Sequence, residues 1–150
     1  MNVWRLARLV HAKLDGEGAR LAGGRWNTQG RAAIYTSSRL SLAALELLVH
    51  TDVPLMPPDL VAFEIEVPDG IAVDTVEIDT LPKDWRVPGH PDCRSIGDSW
   101  LAEQRTAVLR VPSAVVPEEW NYILNPAHRA AKSIQVVGRR KFAFDSRLLG

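Results

Sequence analysis

The sequence has a single cysteine, Cys93, so no disulfide can form within the chain. It also lacks any apolar run approaching the roughly 20 residues that a membrane-spanning helix needs. Its first residues, NVWRLARLVHAKLDG after Met1, have neither the uninterrupted apolar core nor the small-residue cleavage site of a secretory signal peptide. These absences exclude a disulfide scaffold and favour a protein of the reducing cytoplasm.

The chain has no excess of charge of either sign, because its 18 lysines and arginines equal its 18 aspartates and glutamates. A protein of zero net charge has no overall electrostatic attraction for nucleic acid or for an anionic membrane. There is also no internal repeat, low-complexity tract or interdomain linker, and 150 residues suffice for one core. We therefore expect a single domain over residues 1–150.

Short strands and few helices are predicted. Alternation is clearest in LVAFEIEV, where Val61, Phe63 and Ile65 share one face. Strands are predicted at residues 3–10, 32–36, 60–67, 71–78, 106–116 with a break at Pro112, 134–137 and 141–144. A helix follows Ser37 and Ser38, either of which can cap it, and a short one starts at Asp98. Residues 15–30 and 81–91 are predicted loops, and Asn125-Pro126 a turn. This inventory predicts an α+β domain.

Glu46 lies in the middle of an otherwise apolar helix, LSLAALELLVH. Apolar residues at nearly every azimuth predict a buried helix without a wide polar face. An ionised carboxylate there is costly unless partners are supplied, and His50, one turn later, could be one. The spacing alone does not decide whether Glu46 lies on a solvent-exposed stripe of the helix, forms a structural ion pair or acts as a functional acid.

Four motifs together resemble the RES domain family, named for its arginine, glutamate and serine residues. They are GGRWNTQGRAAIYTSSRLSLAALELLVH, GDSWL, VPSAVVP and NYILNPAH. The resemblance extends from WRLAR to NPAH, nearly the whole chain. It implies a bacterial toxin that consumes NAD, with an ADP-ribosyltransferase-like fold of short, mostly antiparallel strands and few helices around a central NAD cleft.

The resemblance also implies the site. The family's arginine falls on Arg25, its tyrosine on Tyr35, its glutamate on Glu46 and its serine on Ser113. The planar fork of Arg25 suits phosphate oxygens, and the ring of Tyr35 can stack on the nicotinamide. Glu46 would hold ribose hydroxyls and stabilise the positive charge that develops on the ribose as nicotinamide leaves.

Other residues have supporting roles in this interpretation. Ser113 either hydrogen-bonds the cofactor or holds Glu46. Trp26 and Asn27 are expected to shape the pocket, and Arg5 or Arg8 to add a second basic contact.

NAD is expected as the substrate rather than as a bound cofactor. Water as acceptor would make the protein an NAD glycohydrolase, phosphate would make it a phosphorylase, and a protein acceptor would make it an ADP-ribosyltransferase. A non-catalytic binding module is the alternative from another class. The resemblance further implies a cognate Xre-like helix-turn-helix antitoxin, DNA contact only through that partner, and a possible homodimer within the complex.

Two remaining clusters carry no functional prediction. His90, Asp92 and Cys93 lie close together but without a second ligand pair, which disfavours a zinc site, and Cys93 is expected to be an ordinary thiol. The basic stretch GRRK at residues 138–141 is interpreted as a solvated turn unless it contacts an acidic partner.

Overall fold

The computed structural model describes all residues from Met1 to Gly150. The strands are β1 Asn2–Arg8, β2 Ile34–Ser37, β3 Leu60–Glu66, β4 Val73–Thr75, β5 Val108–Pro112, β6 Trp120–Leu124 and β7 Gln135–Lys141. They form one seven-stranded sheet in the order β4-β5-β6-β2-β1-β3-β7. Every pairing is antiparallel except that of β4 with β5. Three α-helices, α1 Glu17–Ala22, α2 Leu40–His50 and α3 Pro91–Glu103, complete the predicted α+β class.

Strand β3 follows its sequence pattern closely. It pairs with β1 from Asn2↔Glu66 to Arg8↔Leu60 and with β7 on its other side. Phe63 and Ile65 are almost completely buried, whereas Glu66 is exposed. Because successive side chains of a strand point to opposite faces, the alternation predicted both the strand and its buried side.

Both faces of the sheet are covered by apolar side chains. Leu109 and Val111 of β5 pack in one cluster, with Trp100 of α3, whereas Val108 belongs to a second cluster around Phe63. Helix α3 lies very close to the chain at Trp26, since a Cβ added to Gly97 would lie 1.7 Å from the Trp26 carbonyl oxygen. This close approach fixes the segment that contains Arg25 and Trp26.

Helix α2 differs from its prediction in two ways. Only Leu42 and Ala43 are buried, and Leu45 and Val49 are 42% and 61% exposed. The prediction of an all-round buried helix was therefore wrong, because α2 packs on the sheet through one side only. Neither predicted serine caps it: Arg39 is the N-cap residue, and its side chain makes no capping hydrogen bond.

Two further helical predictions were wrong. The predicted loop at residues 15–30 contains the short helix α1. Helix α3 begins at Pro91 rather than near Asp98, and the His90 Nδ1 atom caps it by accepting from the Asp92 amide. Asp98 lies inside α3 and instead accepts a hydrogen bond from the Thr28 amide.

The strands at the C-terminal end were also misplaced. Strand β6 was not predicted, and β7 is one continuous strand through Gly138 where two strands had been predicted. The basic residues 138–141 therefore lie in an edge strand and not in a turn. Strand β4 is shorter than predicted, since residues 78–80 form a 3-10 turn. No helix in the structure combines the length and apolarity that crossing a membrane requires.

Candidate active site

The candidate site is a cavity of about 480 Å³ at the junction of β1 and β2. These two strands share a single register pair, Trp4↔Ser37, whereas β2 continues its pairing with β6 and β1 with β3. Beyond that pair the strands no longer bond to each other, and the cavity occupies the gap. Its walls come from β1, the glycine-rich segment before β2, β2 itself, α2 and the loop before α3.

Glu46 contributes the acid of this cavity, and its side chain is 23% exposed. Its Oε1 atom accepts hydrogen bonds from Ser113 Oγ at 2.8 Å and from Asn121 Nδ2 at 2.7 Å. Its Oε2 atom lies 3.9 Å from His50 Nε2 and accepts no hydrogen bond from the protein. One carboxylate oxygen is thus held by the fold and the other remains available to a molecule in the cavity.

Ser113 is fully buried behind Glu46 and does not line the cavity. Its hydroxyl donates to Glu46 and accepts from the amides of Val115 and Val116, at 3.1 and 3.0 Å. The hydroxyl proton is therefore committed to the carboxylate. Of the two roles open to Ser113 from the sequence, this geometry supports holding Glu46.

Tyr35 lines the cavity with its ring while its hydroxyl is used by the fold. The hydroxyl donates to Asn27 Oδ1 at 2.6 Å and accepts from the Trp26 amide at 3.0 Å. Burial raises the pKa of the Tyr35 phenol well above its usual value, so the group stays protonated and does not act as a base. A Cβ on Gly24 would lie 2.6 Å from the same hydroxyl, which explains the small residue there.

Arg25 also lines the cavity, but most of its guanidinium is bonded to the main chain. Nη1 donates to the Trp85 and Val87 carbonyls at 2.9 and 3.3 Å, and Nη2 donates to the Arg86 carbonyl at 3.1 Å. A guanidinium can also donate through Nε and a second Nη2 hydrogen, and these are not used in the three bonds to the main chain. Arg25 thus holds the loop that forms one wall of the cavity.

Trp26 and Asn27 lie on the inner side of the cavity wall. The Trp26 side chain is 3% exposed and packs in the core, although part of the residue reaches the cavity. Asn27 is fully buried and does not line the cavity. Its amide donates to the Ala19 and Arg31 carbonyls, both at 2.9 Å, so it braces the loop from within instead of contacting a ligand.

The structure separates the two arginines of β1. Arg5 lines the cavity, where Nη1 donates to the His11 carbonyl at 2.7 Å. Desolvation lowers the pKa of Arg5, and the Asp15 carboxylate partly offsets this effect. Arg8 lies outside the cavity and pairs with Asp59 at 2.9 Å. Arg5 and not Arg8 is therefore the arginine of β1 that lines the cavity, and His50 lines it on the same helix as Glu46.

Asn121 is a residue of the site for which no role was predicted from the sequence. It is part of the motif NYILNPAH, but its strand β6 was not predicted, so nothing placed it beside Glu46. The register Ser37↔Asn121 brings it next to β2 and the cavity.

The His90 and Cys93 cluster serves the fold. His90 Nε2 lies 2.9 Å from Asp84 Oδ1, and His90 Nδ1 caps α3. Cys93 is buried against the Trp85 carbonyl, and burial raises the pKa of its thiol, which disfavours the reactive thiolate.

Comparisons with known proteins agree with this architecture. The chain is 42% identical over 153 residues to the toxin Res of Photorhabdus laumondii, covering 99% of this chain and 97% of that protein. It is also 42% identical over 156 residues to the Prs ADP-ribosylating toxin of Sphingobium sp. strain YBL2, with 99% and 96% covered.

The fold is shared with the crystal structure of the MbcT-MbcA toxin-antitoxin complex of M. tuberculosis. The TM-score is 0.77 at 19% identity, over 94% of this chain and 83% of that chain. This likeness confirms the predicted ADP-ribosyltransferase-like fold. A family model described as the RES domain matches residues 2–145. The chain therefore belongs to the RES domain family.

Proposed function

We propose that this protein is the toxin of a bacterial toxin-antitoxin pair and that it cleaves the nicotinamide-ribose bond of NAD. The observation that carries the proposal is the carboxylate of Glu46, held through Oε1 while Oε2 is left open to the cavity. The two 42% identical relatives, both named as toxins, support the biological role.

The chemistry needs one well-placed acid. Nicotinamide leaves as a neutral base when the bond to ribose C1′ breaks and its electron pair goes to the ring nitrogen, so no general acid is required. The paired carboxylates of ordinary glycosidases are therefore unnecessary. Positive charge grows on the ribose, and Glu46 Oε2 accepts from the ribose hydroxyls and stabilises that charge.

The rest of the cavity fits the other parts of the dinucleotide. The Tyr35 ring offers a flat face to the pyridinium, which is cationic until the bond breaks. Arg5 and the free donors of Arg25 supply positive charge for the pyrophosphate.

The candidate functions differ in the molecule that accepts the ADP-ribose. Attack by water gives ADP-ribose, and attack by inorganic phosphate gives its phosphorylated counterpart; in each case the acceptor loses a proton. Transfer to a protein is the second candidate, and it is favoured by one observation, the 42% identity to a relative named as an ADP-ribosylating toxin. A non-catalytic binding module is a weaker third candidate, because binding alone does not require a tethered acid.

The partner we propose is a cognate Xre-like helix-turn-helix antitoxin, since the structural neighbour is a toxin-antitoxin complex. With zero net charge the chain itself has little attraction for DNA, so operator binding belongs to that partner. We place the protein in the cytoplasm, where both NAD and the antitoxin are available, and a toxin homodimer within the complex is compatible with this role.

The test is incubation of the purified chain with NAD in three conditions, with products resolved by mass. Free nicotinamide and ADP-ribose in phosphate-free buffer would show hydrolysis. Turnover only with added phosphate would show a phosphorylase, and turnover only with a cell lysate, with a mass increase on a protein, would show a transferase. No nicotinamide in any condition would overturn the proposed function in favour of a binding module.

A further inference from the structure

The Glu46 carboxylate is reached by a chain of hydrogen bonds that begins on another strand. Ser37 Oγ lies 2.7 Å from Asn121 Oδ1, and Asn121 Nδ2 lies 2.7 Å from Glu46 Oε1. Ser37 on β2 and Asn121 on β6 are direct register partners, so their side chains are neighbours on the same face of the sheet. The chain of bonds is therefore built into the pairing of the two strands.

The direction of each bond follows from the chemistry of the groups. An ionised carboxylate only accepts, so Asn121 must turn its NH₂ group toward Glu46 and its carbonyl oxygen toward Ser37. Ser37 must then be the donor. Each polar end of the Asn121 side chain makes a hydrogen bond within the protein: Nδ2 donates to Glu46 and Oδ1 accepts from Ser37.

Two donors on Glu46 Oε1 restrict the orientation of the carboxylate more than one donor does. With Ser113 alone, Oε1 would be held by one hydrogen bond, and the carboxylate plane could tilt about that contact. Asn121 approaches the same Oε1 atom from β6, and Ser113 approaches it from the residue after β5. The pair fixes the plane of the carboxylate and thereby the position of Oε2 in the cavity.

We propose that Asn121 is a positioning residue for Glu46 and that Ser37 acts through it. This inference rests on the proposed function, because Glu46 is the acid of that reaction. Asn121 keeps Glu46 Oε2 where the ribose charge develops and does not itself bind NAD. Its loss should therefore lower kcat and leave KM for NAD nearly unchanged.

The experiment measures nicotinamide release by the wild-type chain and by Asn121→Ala, Asn121→Asp, Ser37→Ala and the double variant Ser37→Ala/Asn121→Ala. We expect Asn121→Ala to lower kcat about 10- to 100-fold, the scale expected from a small misplacement of a reacting group. Asn121→Asp keeps the shape but presents an oxygen to Glu46, so it should lose at least as much. Ser37→Ala should lose less, and the double variant no more than Asn121→Ala, because Ser37 acts through Asn121.

The matched control is Asn125→Ala. Asn125 follows the same strand and is 1% exposed, but it does not line the cavity, and its side chain bonds the Leu101 carbonyl and the Ala127 amide instead of Glu46. It should lower thermal stability without changing kcat of the folded protein. A merely structural role for Asn121 would give the same result as this control and would overturn the proposal, as would additive losses in the double variant.

A crystal structure of Asn121→Ala provides a readout that does not depend on turnover. We expect the Glu46 carboxylate to be rotated or spread over several orientations, with its bond to Ser113 retained. An unchanged carboxylate would overturn the positioning role even if the wild-type chain cleaves NAD. Absence of turnover in the wild-type chain, with a displaced carboxylate in the variant, would instead reject the proposed reaction and keep the positioning role.

Discussion

At the scale of single residues, the site combines groups that face a ligand with groups that hold them. Glu46, Tyr35 and Arg25 line the cavity, and each has a polar atom committed to the fold. Ser113 and Asn27 are fully buried and act only through their neighbours. The sequence predicted that these residues belong to one site. It could not predict which of them line the cavity and which lie buried behind it, because that depends on the side of the cavity wall to which each side chain points.

Tyr35 permits a test of this division through stability. Tyr35→Phe removes the hydroxyl that bonds the Trp26 amide and Asn27, and an unpartnered buried group costs about 1 to 3 kcal/mol of unfolding free energy. The loss of unfolding free energy caused by Tyr35→Phe should become smaller at alkaline pH. Burial raises the pKa of folded Tyr35, so above pH of about 10 the unfolded chain releases this proton while the folded chain keeps it, and wild-type stability falls.

The measurement is Tm against pH for both chains, with Tyr122→Phe at the half-buried tyrosine of β6 as the control. We expect the Tm difference between the wild-type chain and Tyr35→Phe to narrow as pH rises above about 10. A gap that stays constant or widens over this range would contradict the burial of the Tyr35 hydroxyl.

At the scale of elements, local pattern predicted strands better than helix ends. β3 was predicted from strict alternation, whereas β6 was missed because WNYIL alternates poorly and borders a proline turn. Helix α3 was predicted too short, since the prolines and glycine of residues 81–91 indicated an irregular connection up to Pro91, and Gly97 is a weak helix former. Tertiary packing on Trp26 overrides that preference.

The packing of α3 gives a prediction with an internal control. Gly97→Ala places a Cβ 1.7 Å from the Trp26 carbonyl oxygen, and backbone must move to relieve this contact. We expect a loss of about 3 kcal/mol or more of unfolding free energy, and weaker turnover because Trp26 adjoins Arg25. Gly18→Ala in α1 has nothing within 4 Å of the new Cβ and should stabilise by about 0.5 to 1 kcal/mol.

Urea unfolding of the two variants makes the comparison. Equal stabilities of Gly97→Ala and Gly18→Ala would show that α3 does not lie against Trp26. In that case the wall that carries Arg25 would need another support.

At the scale of the whole molecule, the site exists because the sheet opens between β1 and β2. A single register pair joins these strands, and residues far apart in sequence, such as Glu46 and Asn121, meet there. Composition and charge predicted a single domain without disulfides, and the family motifs predicted the residues of the site. Neither could give the cavity, since it arises from strand order and register, which are long-range properties.

We propose above that Glu46 drives cleavage of the nicotinamide-ribose bond. The most direct test of this proposal is the rate of nicotinamide release from NAD by the wild-type chain and by Glu46→Gln, with Tm and NAD binding measured on both. We expect the variant to keep a fold and an NAD affinity close to wild type and to release nicotinamide about 100-fold more slowly or slower still, the effect of losing one electrostatic group at a reacting centre. Nicotinamide release by Glu46→Gln at the wild-type rate would contradict this proposal.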